Sequence, residues 1–308
     1  MLGPVLLRAS RSKQTRDLVT SAPLFRRVVR RFVPGEGTAD VLAATTDLIA
    51  SGRAVTIDRL GEDVRDATQA AAVRDAYVEL LGQFADLGLG RSAEVSLKLS
   101  ALGRALPGDG YPVALDNARA VCAAAAAAGT TVTLDMEDHT TVDSTLSALR
   151  ELRADFAWVG AVLQSCLRRT EGDLRDLAAA GSRVRLVKGA YAEPPSVAYA
   201  AKPEVDRAYV RGLKILLAGD GYPMVATHDP RMIAIAGQLA ERHERAPGSY
   251  EFQMLYGIRP SEQRRLAASG SAVRVYVPYG DDWYGYFMRR LAERPANVAF
   301  FLRSAVTR

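Results

Sequence analysis

The chain contains eight short apolar runs a few dozen residues apart, and most of them end in a polar or charged residue that burial would not select. They are Ala54 to Leu60, Glu94 to Leu99, Thr131 to Leu134, Val159 to Leu163, Val184 to Val187, Met224 to Ala226, Tyr250 to Met254 and Ala272 to Val277. Most are too short and too rich in β-branched residues for helices, and helix-like segments separate them. Eight alternations of strand and helix predict an α/β fold, a (βα)8 TIM-type barrel with helices at its N-terminus. In such a barrel the active site gathers at the C-terminal ends of the strands. The residues to read first are therefore Lys98, Asp135, Gln164, Lys188, Thr227 with His228, Gln253 and Tyr276.

A chain of 308 residues accommodates one such barrel and a short extension, which predicts an N-terminal helical arm over residues 1–52 and the barrel over 53–308. No apolar stretch approaches the roughly 20 residues that a membrane span needs. The net charge of +5 is uneven: residues 1–33 carry eight Lys or Arg and one acid, so the remainder is slightly acidic. A nucleic-acid-binding protein needs a broad basic face, and here the excess is confined to one arm. Within that arm, Leu24 to Phe32 reads as a basic amphipathic helix, with Leu24, Phe25, Val28, Val29 and Phe32 on one face and four arginines on the other. Such a helix either docks on the barrel, the simpler reading, or lies on a membrane surface.

Thr38 or Asp40 is expected to cap the helix that follows, and Gly129, Gly181, Gly219 and Gly270 stand where helix C-caps are wanted. Cys122 and Cys166 are too few for a disulfide framework, which fits a reducing, cytoplasmic compartment. Residues 1–31 also have the Arg-containing, acid-poor composition of organelle transit peptides, a less favoured reading. The three histidines are scattered, so no metal site is expected.

The last predicted helix, WYGYFMRRLAE, sets Tyr286, Arg289, Arg290 and Glu293 on one face by their helical spacing. Two adjacent guanidinium groups offer paired donors to a small carboxylate. Taken alone, a solvated helix face with a Glu/Arg pair explains those residues better. The strand ends shift the balance. Lys98 in VSLKLSA interrupts an apolar strand and must find an anion, and TLDMEDHT puts Asp135, Glu137 and Asp138 at the end of the third strand. RVRLVKGAYAE combines Arg185 and Lys188 with a small-residue turn at Gly189 and Ala190, as an anionic or electron-rich cofactor would require. No GxGxxG follows the first strand and no P-loop motif occurs, so a nucleotide would have to bind in barrel fashion.

The blocks VSLKLSA, LDMED, VLQS, RLVKGAY, ATHD, EFQMLYG, RVYVPYG and YFMRRLAERPAN, in this order and spacing, resemble the monofunctional bacterial proline dehydrogenases, from about Arg30 to Arg303. The resemblance implies a distorted (βα)8 barrel that holds FAD at the strand C-terminal ends. It implies oxidation of L-proline to 1-pyrroline-5-carboxylate, with electrons passed to a membrane quinone. Matched block by block, Asp135 and Arg185 look like the catalytic positions, Arg185 beside flavin N5. Lys98, Arg289 and Arg290 look like the proline carboxylate site, Tyr276 and Tyr286 like the walls around the ring, with Leu255 nearby and Glu293 as partner to an arginine. Met136, Val162, Gln164, Lys188, Gly189, Ala190, Thr227 and His228 look like flavin contacts, joined by Arg185. The implied partners are proline, the quinone and, downstream, a pyrroline-5-carboxylate dehydrogenase, at a cytoplasmic location on the inner face of the membrane.

The residue-level reading agrees with that chemistry: cations anchor a carboxylate at one end and leave C5 of the ring at the other, while the cofactor supplies the redox step. Two other readings compete with it. An inert barrel with a basic arm would purify colourless and bind polyanions in a salt-sensitive way. A flavin dehydrogenase for hydroxyproline is disfavoured because, by the resemblance, Tyr276 crowds the carbon that would carry the hydroxyl.

Overall fold

In the computed structural model of the protein, which describes residues 29–293 apart from the side chains of 291–293, the eight strands close into a barrel in sequence order, each parallel to its neighbours. Helix α1 (Thr38–Ala50) precedes β1 (Ala54–Arg59), α2 (Ala67–Asp86), β2 (Ala93–Leu97), α3 (Tyr111–Ala127) and β3 (Val132–Leu134). The chain continues through α4 (Val142–Asp155), β4 (Gly160–Gln164), α5 (Thr170–Ala179), β5 (Arg183–Val187), α6 (Lys202–Ala218) and β6 (Tyr222–Ala226). It ends with α7 (Pro230–Arg242), β7 (Glu251–Leu255), α8 (Pro260–Ala268), β8 (Val273–Tyr279) and α9 (Trp283–Glu293). Pairing of β1 with β8, Thr56 opposite Tyr276, closes the ring.

Period-two alternation divides each strand between two environments. Outward residues such as Val95, Leu97, Val184, Leu186, Val275 and Val277 are buried in the core beneath the helices. Many inward positions are polar: Glu94 and Ser96 on β2, Arg183 and Arg185 on β5, Glu251 and Gln253 on β7, Arg274 and Tyr276 on β8. These meet across the barrel in hydrogen bonds between non-adjacent strands, such as Arg183 to Glu94 and Arg185 to Gln253. The barrel interior is therefore a charged layer, and its open end becomes the site.

Two expected caps are corrected. Gly37, not Thr38 or Asp40, is the N-cap of α1; Asp40 sits at the third helical position and accepts from the Gly37 N–H at 3.3 Å. Asp40 there meets the exposed amides from within the first turn. Gly129, Gly181 and Gly270 take the left-handed conformation after their helices, but Gly219 ends α6 in an extended one, φ −87°. The chain there turns straight into the approach to β6.

Of the amphipathic segment Leu24 to Phe32, residues 24–28 lie outside the described residues. Val29, Phe32 and Val33 are buried against Trp283, Tyr284, Phe287 and Met288 of α9, together with Leu60 and Ile258. The Phe32 and Phe287 rings sit 6.1 Å apart, and Trp283 Nε1 donates to Glu36 Oε1 at 2.9 Å. For these three residues the docked reading is what the fold displays. Phe32 is 1% exposed, so Phe32→Ala is expected to cost about 3–5 kcal/mol by opening a cavity beneath α9. Denaturant titration checks this, and an unchanged midpoint would remove Phe32 from the support of α9. Among the described residues no helix is long and apolar enough to cross a membrane.

Candidate active site

The strand C-termini and α9 enclose a cavity of about 620 Å³, a size typical of small-molecule and cofactor sites. Each of the strand-end residues singled out in the sequence lines it: Lys98, Asp135, Gln164, Lys188, Thr227, His228, Gln253 and Tyr276. So do Met136, Val162, Arg185, Gly189, Ala190 and Leu255, and, from α9, Tyr286, Arg289 and Arg290. The face of α9 is thus a wall of the cavity and not a solvated surface, with Arg290 buried. The Glu293 side chain lies outside the described residues.

Asp135 is the hub. Its Oδ1 accepts from Arg185 Nη1 and Ser96 Oγ, both at 2.8 Å, and its Oδ2 accepts from the Tyr276 hydroxyl at 2.7 Å. Lys98 Nζ lies 3.9 Å from the same Oδ2. With Arg185 also stacked 5.3 Å from the Tyr276 ring centroid, aromatic, cation and carboxylate form one rigid unit. Burial and the Asp135 charge hold the Tyr276 phenol well above its ordinary pKa, so it stays a donor.

Lys98 finds its anion within the protein. Its Nζ is 2.7 Å from both oxygens of Asp58, the inward residue of β1. Burial works against the Lys98 charge, but Asp58, Asp135 and Glu62 outweigh it and raise the pKa, keeping the ammonium form. Arg289 likewise reaches Glu62, in the loop after β1, at 3.2 Å. The sequence reading missed Asp58, Glu62 and Tyr191, which also line the cavity. The one available signal was that Asp58 stands in step with Thr56, two residues back, on the inward side of β1.

On the opposite wall the charge is spread differently. Lys188 is shared between Asp206 and Asp229, at 2.5 and 3.2 Å. Gln164 Nε2 donates to the Glu137 carbonyl at 2.8 Å, which sets the orientation of its amide. His228 Nε2 accepts from the Leu255 N–H at 2.9 Å, so a neutral imidazole carries its proton on Nδ1. Arg259, in the left-handed region at φ 50°, reaches back to the His228 carbonyl at 2.7 Å and ties the two loops together. Gly189 has φ 110°, and a Cβ there would collide with Cys166 Sγ, so only glycine suits this turn.

Cys166 therefore packs behind the Gly189 turn. Burial first, then the Glu193 charge, pushes its thiol up to about 11, and burial pushes Cys122 up to about 12. Neither is expected to react quickly with a disulfide reagent at pH 8, and the Cys166 rate should climb as pH rises toward 11. Fast labelling of the native protein at pH 8 would contradict that packing.

The chain is similar to known proteins over most of its length. A family model described as proline dehydrogenase matches residues 41–303. Proline dehydrogenase of Deinococcus radiodurans is 42% identical over 278 residues, covering 90% of this chain and 89% of the relative. Proline dehydrogenase 1 of Bacillus subtilis is 40% identical over 274 residues, 89% of each chain. Among solved structures, proline utilization A from Bdellovibrio bacteriovorus inactivated by N-propargylglycine superposes with a TM-score of 0.77 at 26% identity, covering 86% of this chain. The Bradyrhizobium japonicum protein of that name, mutant D778Y, gives 0.73 at 23% identity over 91% of this chain, a likeness of fold. The chain spans about a third of each of those longer proteins, 32%.

Proposed function

Because the chain belongs to the proline dehydrogenase family, we propose that its cavity binds FAD beside L-proline and oxidises proline to 1-pyrroline-5-carboxylate, with the electrons passing to a membrane quinone. The observation that carries this reading is that two unlike sets of side chains line the cavity. One is Lys98 after β2, Tyr276 on β8 and Tyr286, Arg289 and Arg290 on α9. The other, from the ends of β3 to β6, combines apolar surface from Met136, Val162 and Ala190 with Lys188 and His228.

The second set fits a flavin nucleotide. The Gly189 turn brings backbone close to the cavity, Lys188 is a cation for the pyrophosphate, and the Gln164 amide is already oriented. Met136, Val162, Gln164, Arg185, Lys188, Gly189, Ala190, Thr227 and His228 are the residues that would hold the cofactor. FAD, when bound, would supply the hydride acceptor.

The remaining work falls to the side chains. Arg289 and Arg290 clamp the proline carboxylate with paired donors, and Lys98, held protonated, adds a third charge. Arg289 exchanges Glu62 for the substrate or shares both. Tyr276 and Tyr286 enclose the ring and keep water from it. Asp135 accepts from Arg185, Ser96 and Tyr276 and so organises the site. Oxidation of the C5–N bond removes a hydride from C5 and a proton from nitrogen, and the cationic clamp orients the ring for it.

A yellow protein whose flavin absorbance bleaches on anaerobic addition of proline is the direct test, and a colourless protein would sink the reading. For the clamp, Arg289→Lys or Arg290→Lys keeps the charge but loses the planar paired donors. Each is expected to weaken apparent proline affinity by about 1.5–3 kcal/mol, roughly one to two powers of ten. Steady-state kinetics with a dye acceptor measures it, and unchanged KM in both variants would exclude the clamp.

A further inference from the structure

Below the cavity, the floor of the barrel holds a carboxylate that the chemistry described so far does not use. Glu94 on β2 is fully buried, and three guanidinium groups surround it. Its Oε2 accepts from Arg183 Nη2 at 2.7 Å and Thr131 Oγ1 at 2.6 Å. Its Oε1 accepts from Thr56 Oγ1 at 2.7 Å and lies 3.7 Å from Arg185 Nη2 and 3.8 Å from Arg274 Nε. Burial alone would favour the neutral acid, but the Arg183, Arg274 and Arg185 charges outweigh it and hold the carboxyl well below its ordinary range. Glu94 is thus an anion shared among three cations.

Arg185 is the one of the three that reaches the cavity. Its guanidinium is held by protein groups: Nε donates to Gln253 Oε1 at 2.5 Å, and Nη1 to Asp135 and Ser96. Its Nη2 is buried without a hydrogen bond, and Glu94 Oε1 is the carboxylate oxygen beside it. Gln253 is oriented in turn from the floor, because its Nε2 donates to Glu251 Oε1, and Glu251 is held by Arg274 Nε at 2.9 and 3.1 Å. Arg185 is therefore suspended between Asp135 above and Glu94 below, and its Nη2 senses Glu94 through charge. A Coulomb interaction falls only as the inverse of distance, so it persists at 3.7 Å where a hydrogen bond does not.

We propose that Glu94 is a positioning residue that fixes Arg185 from the barrel floor and sets the strength of the positive field Arg185 presents to the flavin, with Arg183 drawing off part of the Glu94 charge. This rests on the reading that FAD binds above Arg185. A buried anion behind Arg185 attenuates its field, and a cation behind that anion restores part of it. Charge that builds on a flavin during reduction is negative, so a stronger field at Arg185 favours the reduced state.

The test is the midpoint potential of the bound flavin, measured by redox titration of the FAD-loaded protein. Glu94→Gln keeps size and shape but removes the charge, and the potential is expected to rise. Arg183→Gln leaves Glu94 less compensated, and the potential is expected to fall. The double variant should return close to the wild-type value. Loosening of the barrel without an electrostatic role would move both single variants the same way or neither, and either result overturns the proposal. If Glu94→Gln does not fold, Arg183→Gln, whose side chain is partly exposed, still decides by the sign of its shift. A wild-type protein that binds no flavin would instead refute the FAD reading itself.

Discussion

Arg185→Met is expected to lower the potential of the bound flavin and to slow its reduction by proline roughly 10²- to 10³-fold, the loss typical of removing one donor aimed at developing charge. Arg185 is 3% exposed and carries a fixed charge into the cavity from β5. Methionine fills much of the same volume without the charge, so the change reports on electrostatics more than on packing. Asp135 retains Ser96 and Tyr276 in the variant, which preserves the geometry of the hub. Rapid-mixing bleaching and redox titration give the two quantities. A variant that holds FAD and keeps the wild-type potential and rate would refute the assignment of Arg185.

Lys98→Met is expected to destabilise the fold by about 3–5 kcal/mol, because it leaves Asp58 as a buried carboxylate stripped of its ammonium partner. Asp58→Asn combined with Lys98→Met removes both charges and should recover most of that loss, since a neutral pair carries no uncompensated ion. Proline affinity should not recover with it, because the third cation of the carboxylate end is still absent. Denaturant titration and KM together separate the two roles of Lys98. If the double variant were as unstable as the single one, Asp58 would not be the reason for the loss. If it bound proline normally, Lys98 would not belong to the substrate end.

These two residues also illustrate how far the sequence could be read. Lys98 was legible because a lysine after an apolar run violates the local pattern, and the (βα)8 grammar says which end of a strand such a violation occupies. Its partner was not legible: Asp58 lies 40 residues away, within a run that looks like ordinary half-buried strand. Glu62 stands in a loop without periodicity, so nothing local marked it as facing Arg289. Glu94, Arg183, Glu251 and Arg274 stand at or near the starts of their apolar runs and read as polar margins of strands. Only closure of the ring brings Arg183 and Glu94, 89 residues apart, into contact.

By itself the sequence determined the number and order of the strands, which residues stand at their ends and which face of α9 bears the two arginines. All of these follow from periodicities of two and 3.6 residues, which are properties of neighbouring positions in the chain. The tertiary structure alone decided which charges neutralise which. Lys98 could have pointed at a substrate with no protein partner, and Asp135 could have been an exposed base. Pairing of β1 with β2 sets Asp58 beside Lys98, the curl of the barrel sets Arg185 beside Asp135, and packing of the segment before α1 seats Phe32 beneath α9. The reason is physical: a buried charge requires an opposite charge within a few ångströms, and in a closed parallel barrel those ångströms run across the interior and not along the chain.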